Sequence, residues 1–108
     1  MAHVGEIDPG ELKRRLDSGE DLLIVDVREA EELALARFPR AIHVPMGELP
    51  SRLAELDANR EIVVVCHHGI RSAQVAMYLA SNGFERVSNL SGGIDAWSAT
   101  VDPLTPRY

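Results

Sequence analysis

Short apolar runs alternate with amphipathic stretches along this chain. "LLIVDV" (22–27) and "EIVVV" (61–65) are almost continuously apolar, the pattern of strands covered on both faces. "AIHV" (41–44) and "RVSNL" (86–90) are shorter runs of the same kind. Helical stretches lie between them. In "DPGELKRRLDSG", Asp8 stands as N-cap, Pro9 at the first helical position, Glu11 at N3, and Gly19 as the stop beyond the last turn. "EAEELALA" (29–36) and "ELPSRLAELD" (48–57) are helix-prone. "RSAQVAMYLASNGF" (71–84) puts Ala73, Ala76, Met77 and Ala80 on one stripe, with Gly83 ending it. A short last helix, "IDAWSA" (94–99), follows "SGG".

Strands alternating with helices predict an α/β domain with a mainly parallel sheet. The 108 residues fit one such domain, residues 1–108. Ligands of these sheets bind beyond the carboxyl ends of the strands. Asp26 and Cys66 both fall at such ends.

Charge narrows the chemistry. The formal net charge of −6 argues against a nucleic-acid footprint or a polybasic membrane face. An anion site here must be local, built from backbone N–H groups or a single arginine. No apolar run reaches the roughly 18 residues of a membrane-spanning helix. "MAHVGEIDPGEL" lacks the basic start and apolar stretch of a signal peptide. The one cysteine excludes an internal disulfide and fits a reducing, cytoplasmic setting.

That cysteine lies in "VVVCHHGIRSAQ" (63–74), at the joint between a strand and a helix. A loop this short must curl, and Gly69 supplies a residue able to take positive φ. Successive N–H groups of a curled loop form an anion-binding nest, to which a helix N-terminus adds free donors. Such dipoles favour a thiolate, so Cys66 is expected to have a lowered pKa and to act as a nucleophile. An inert buried cysteine after "VVV" is the alternative. Two histidines, a glycine and an arginine within five positions argue against it. His67 and His68 fit either polar loop residues or ligand contacts. Cys-His-His in direct succession is not the usual zinc spacing.

"CHHGIRS" resembles the active-site loop of the rhodanese, or sulfurtransferase, family. "IVDVRE" (24–29), "RAIHVP" (40–45) and "LSGGIDAW" (90–97) resemble its other signatures, in the same order along nearly the whole chain. The resemblance implies a rhodanese-like three-layer α/β domain with a mainly parallel five-stranded sheet flanked by helices. It implies a cysteine that carries sulfane sulfur as a persulfide, here Cys66, cradled by His67, His68, Gly69, Ile70 and Arg71. Asp26 and Arg28 fall on the family's Asp-x-Arg pair and are expected to support the loops as an ion pair. "ARFPRA" (36–41) departs from the family's Gly-His-Ile-Pro-Gly-Ala segment, keeping Pro39 and Ala41 but not its glycines or histidine.

The expected reaction takes sulfur from thiosulfate or a persulfide and passes it to an external thiol, cyanide or a sulfur-carrier protein. It needs no cofactor and no metal. Two alternatives stand beside it: a rhodanese-like module that only binds partners, and a cysteine phosphatase. Four residues separate Cys66 from Arg71, one fewer than in cysteine phosphatases, which makes a smaller nest. The final "DPLTPRY" resembles the tails of rhodanese modules found alone or fused to adenylyltransferases.

Overall fold

A computed structural model describes residues 3–108. Its centre is a five-stranded, wholly parallel sheet of β1 (Gly5–Ile7), β2 (Leu22–Asp26), β3 (Ala41–His43), β4 (Glu61–Val65) and β5 (Val87–Leu90), in the order β1-β5-β4-β2-β3. The two near-continuous apolar runs form the middle of the sheet, where β2 pairs with β4. Alternating side chains divide between two cores, as the two-residue period requires. Ile62, Val64 and Cys66 face one side with Leu49, Val75, Ala76 and Leu79. Val63 and Val65 face the other with Leu12, Leu16, Ile94 and Trp97. Helices α3 (Leu49–Arg52) and α4 (Ile70–Ala80) therefore cover one face, and α1 (Pro9–Asp17) and α5 (Gly93–Thr100) the other.

Local signals act as expected at α1. Asp8 accepts from the Glu11 N–H at 2.8 Å, and Gly19, at φ 82°, follows the C-cap Ser18. Elsewhere the structure departs from the pattern. Residues 48–57 are not one helix: single tight turns at Met46–Glu48 and Leu53–Glu55 bracket α3, and Leu56 turns extended to reach the core. The stripe proposed on α4 is rotated. Ser72, Val75, Ala76 and Leu79 are buried, whereas Met77 is 51% exposed. A polar residue faces inward because the site uses its hydroxyl. Strand β1 escaped the apolar pattern because only Ile7 in it is buried.

The segment 36–41 keeps its turn without glycine: Arg40 takes φ 61°, a left-handed conformation that costs a side-chain-bearing residue about 1–2 kcal/mol. Helix α2 (Ala30–Leu35) buries none of its side chains. Arg28 holds its end instead, donating to the carbonyls of Glu32 (3.4 Å) and Ala36 (2.8 Å).

Candidate active site

Cys66 follows β4, is 1% exposed, and starts the turn into α4. Gly69 takes φ 98°, and a Cβ there would come within 3.2 Å of the Gly92 nitrogen and 3.3 Å of the Leu90 carbonyl oxygen. The positive φ favours glycine, and the tight approach adds to it. The curl aims donors at sulfur. Cys66 Sγ accepts from the Gly69 N–H (3.1 Å), the Ser72 N–H (3.4 Å) and the Ser72 hydroxyl (3.2 Å). Burial pushes the thiol up. The Ser72 hydroxyl and the N–H groups of Ser72, Gly69 and His68 outweigh that, so the thiol is held below its ordinary value.

The Ser72 hydroxyl has one proton and two acceptors, Sγ and Asn89 Oδ1 at 2.5 Å. It can donate to Asn89 while the thiol is protonated and turn to sulfur when the thiolate forms. Asn89 is oriented by its own amide, which donates to the Gly69 carbonyl (3.1 Å) and the Glu6 carboxylate (3.2 Å). Ser72 was visible as the end of the quoted loop. Asn89 and Glu6 lie on β5 and β1, and only the sheet order brings them here.

The loop is fixed from behind by main chain. The Ile94 and Asp95 N–H groups at the start of α5 donate to the Cys66 carbonyl (2.9 Å) and the His67 carbonyl (3.1 Å). Gly93 permits that approach: a Cβ there would lie 2.4 Å from both carbonyl oxygens.

Asp26 and Arg28 form a buried ion pair beside this loop. Arg28 Nη2 lies 2.7 Å from Asp26 Oδ2, and Nε bonds both carboxylate oxygens at 3.0 and 3.1 Å. Burial disfavours the charged Arg28. Bonds to Asp26 and the Tyr108 hydroxyl outweigh it and raise its pKa. Neither side chain bonds Cys66; they brace the sheet end.

Arg71 was expected to face an anion. Instead its two terminal nitrogens grip Glu32, Nη1 to Oε1 at 2.7 Å and Nη2 to Oε2 at 2.9 Å. That pairing, against opposing burial and with help from Tyr108, holds the Glu32 carboxyl down at about 2. The Tyr108 hydroxyl donates to Glu32 Oε2 (2.7 Å) and accepts from Arg28 Nη1 (2.9 Å). Its ring stacks on His67 at 3.9 Å between centroids, and His67 meets His68 at 3.8 Å with the rings tilted by 30°. His68 is exposed, 4.0 Å from Asp95, which pairs with Arg107 at 3.0 Å. The tail thus closes over the loop from two sides. Ile70 is 73% exposed and contributes main chain to the curl rather than packing. Glu32 carried no motif signal, and Tyr108 figured only as the last residue of "DPLTPRY".

Among the described residues no three His, Cys, Asp or Glu side chains are arranged to hold a metal ion, and no helix is long and apolar enough to cross a membrane. A cleft of about 320 Å³ lies at the opposite end of the sheet, lined by Leu22, Asn59, Glu61 and Arg86. It holds no nucleophile.

The family model described as "Rhodanese-like domain" matches residues 8–100. The chain belongs to the rhodanese-like domain family. It is 43% identical over 101 residues to a protein of Allochromatium vinosum named sulfurtransferase, covering 94% of both chains. It is 31% identical over 105 residues to the thiosulfate sulfurtransferase GlpE of Pseudomonas savastanoi, covering 97% of both. The crystal structure of a rhodanese-like domain protein from Staphylococcus aureus superposes with a TM-score of 0.84 at 35% identity, covering 97% of this chain and 99% of that one. The five-stranded parallel α/β architecture expected from the resemblance is the one observed.

Proposed function

We propose that this rhodanese-like chain is a sulfurtransferase that carries sulfane sulfur on Cys66. The supporting observation is the convergence of three donors, the Gly69 and Ser72 N–H groups and the Ser72 hydroxyl, on one buried sulfur. They stabilise a thiolate before reaction and a persulfide anion after it. In the first step the Cys66 thiolate attacks the outer sulfur of a donor such as thiosulfate or a persulfide. The donor's S–S bond breaks, and its electron pair leaves with the remainder, sulfite in the case of thiosulfate. An external thiolate, cyanide or a sulfur-carrier protein then attacks the outer sulfur of the persulfide, and the electron pair returns to Cys66. His67 and His68 line the loop, Gly69 and Ile70 shape it, and Arg71 borders it. Asp26 and Arg28 keep the sheet end rigid.

A cysteine phosphatase has less support. The loop is one residue shorter, and the arginine that would grip phosphate oxygens holds Glu32. A binding-only module would have no use for three donors trained on a lone thiol.

Intact-protein mass spectrometry tests the proposal. Incubation with thiosulfate or a small-molecule persulfide should add the mass of one sulfur atom. Cys66→Ser, folded by circular dichroism, should gain none and show no transfer to cyanide. Turnover by the folded Cys66→Ser protein would refute it.

A further inference from the structure

Every arginine around the loop is matched by a carboxylate: Arg28 by Asp26, Arg107 by Asp95 and Arg71 by Glu32. Arg71 matters most. It stands in the first turn of α4, behind the nest, and the Cys66 thiolate is among the charges it feels. Its partner Glu32 is not a freely rotating surface carboxylate. It is held on Oε2 by both Arg71 and the Tyr108 hydroxyl, and Tyr108 is held in turn by Arg28 and by stacking on His67. A fork-to-fork pair fixed at both ends cancels the one positive charge that could otherwise meet an incoming anion. What remains for the ligand is the ring of N–H dipoles. Dipoles suffice for the single charge of a persulfide, but a dianion also brings its second charge close to Glu32.

Resting on the assignment of Cys66 as sulfur carrier, we infer that Glu32, positioned by Tyr108, determines donor specificity: it withholds the charge of Arg71, so the site favours singly charged sulfane-sulfur donors over dianionic ones. Thiosulfate and methanethiosulfonate isolate this effect. Each delivers a terminal sulfur to the Cys66 thiolate by cleavage of one S–S bond. Sulfite leaves in the first case and methanesulfinate in the second. The donors carry two negative charges and one.

Glu32→Gln keeps the shape and the hydrogen-bond acceptor but removes the charge. It should raise kcat/KM for thiosulfate on the order of tenfold more than for methanethiosulfonate, mainly through KM, as one unmatched charge near the surface allows. The gain should shrink with added salt. Tyr108→Phe, which keeps the stack on His67 and loses the hydroxyl, should shift the ratio in the same direction by less. Adding Arg71→Met to Glu32→Gln should abolish the gain. A Glu32→Gln protein in which both donors change alike, or thiosulfate becomes the poorer one, overturns the inference while leaving sulfur transfer intact. Titration with sulfite in a Cys66→Ser background, with and without Glu32→Gln, supplies a readout without chemistry. Tighter sulfite binding on loss of the Glu32 charge supports the inference, whereas a wild type that no donor loads refutes the sulfurtransferase assignment and with it the donor preference. Unchanged sulfite affinity counts against the inference.

Discussion

At the carboxyl end of β2, Arg28 is fully buried, and its guanidinium donates to Asp26 and to the carbonyls at the end of α2. At the amino end of the same sheet, Arg60 pairs with Asp21, and Arg15 with Glu20 and Glu61. The Arg60–Asp21 pair stays largely in water, its side chains 34% and 82% exposed. The residue types match, but their energetic meaning does not. An exposed pair replaces hydration it barely lost and contributes little. A buried pair has given up its hydration, so each partner depends on the other. At the end that holds the nest, Asp26 and Arg28 form a pair of this second kind.

Breaking the buried pair is expected to have the largest effect. Arg28→Met strands the Asp26 carboxylate and the Glu32 and Ala36 carbonyls, and should lower unfolding free energy in urea by about 3–5 kcal/mol. The double variant Asp26→Leu/Arg28→Met should recover part of that loss, because no lone buried charge remains. A single variant as stable as wild type would erase the contrast between the two ends.

Gly93→Ala tests the loop's rear anchorage. Its methyl would force the Cys66 and His67 carbonyls away, so sulfur-transfer kcat/KM should fall on the order of a hundredfold, the scale of a displacement near 1 Å. Ser72→Ala removes one of the three donors at sulfur. The midpoint of iodoacetamide alkylation against pH should then move up. A midpoint higher by about one pH unit cuts the thiolate fraction at neutral pH by at most about tenfold. In the wild type that midpoint should lie below the ordinary thiol value, since the folded site favours the charged form. Smallest of all, Arg60→Met at the far end should change stability by less than about 1 kcal/mol and leave sulfur transfer untouched.

Much of this was legible in the sequence. The central strands were plain from continuous apolar runs, and the cysteine loop from its packing of chemistry into a few positions. What stayed hidden was mostly side-chain traffic between distant segments. Ser72 lay off the stripe of Ala73, Ala76, Met77 and Ala80 expected on α4, yet it is buried with its hydroxyl on Cys66, the inward face is shifted by one position and Met77 reaches the surface. Glu32 looked like ordinary helical surface charge. Its role depends on Arg71, Tyr108 and Arg28, residues that lie far apart in the chain or gave no periodic signal. Arg40 concealed its turn by replacing the expected glycine with a strained residue. Strand β1 was too short for any period to register.

The anchorage of the loop by the Ile94 and Asp95 N–H groups has a consequence for how this site can change over generations. Those bonds run from main chain to main chain. They hold the curl whatever side chains stand at positions 67, 68 and 70, so long as Gly69 and Gly93 are kept. Mutational drift at the three positions can therefore sample new acceptors and donors while the thiolate keeps its cradle. The glycine pair acts as the inherited frame, and positions 67, 68 and 70 are the part open to selection.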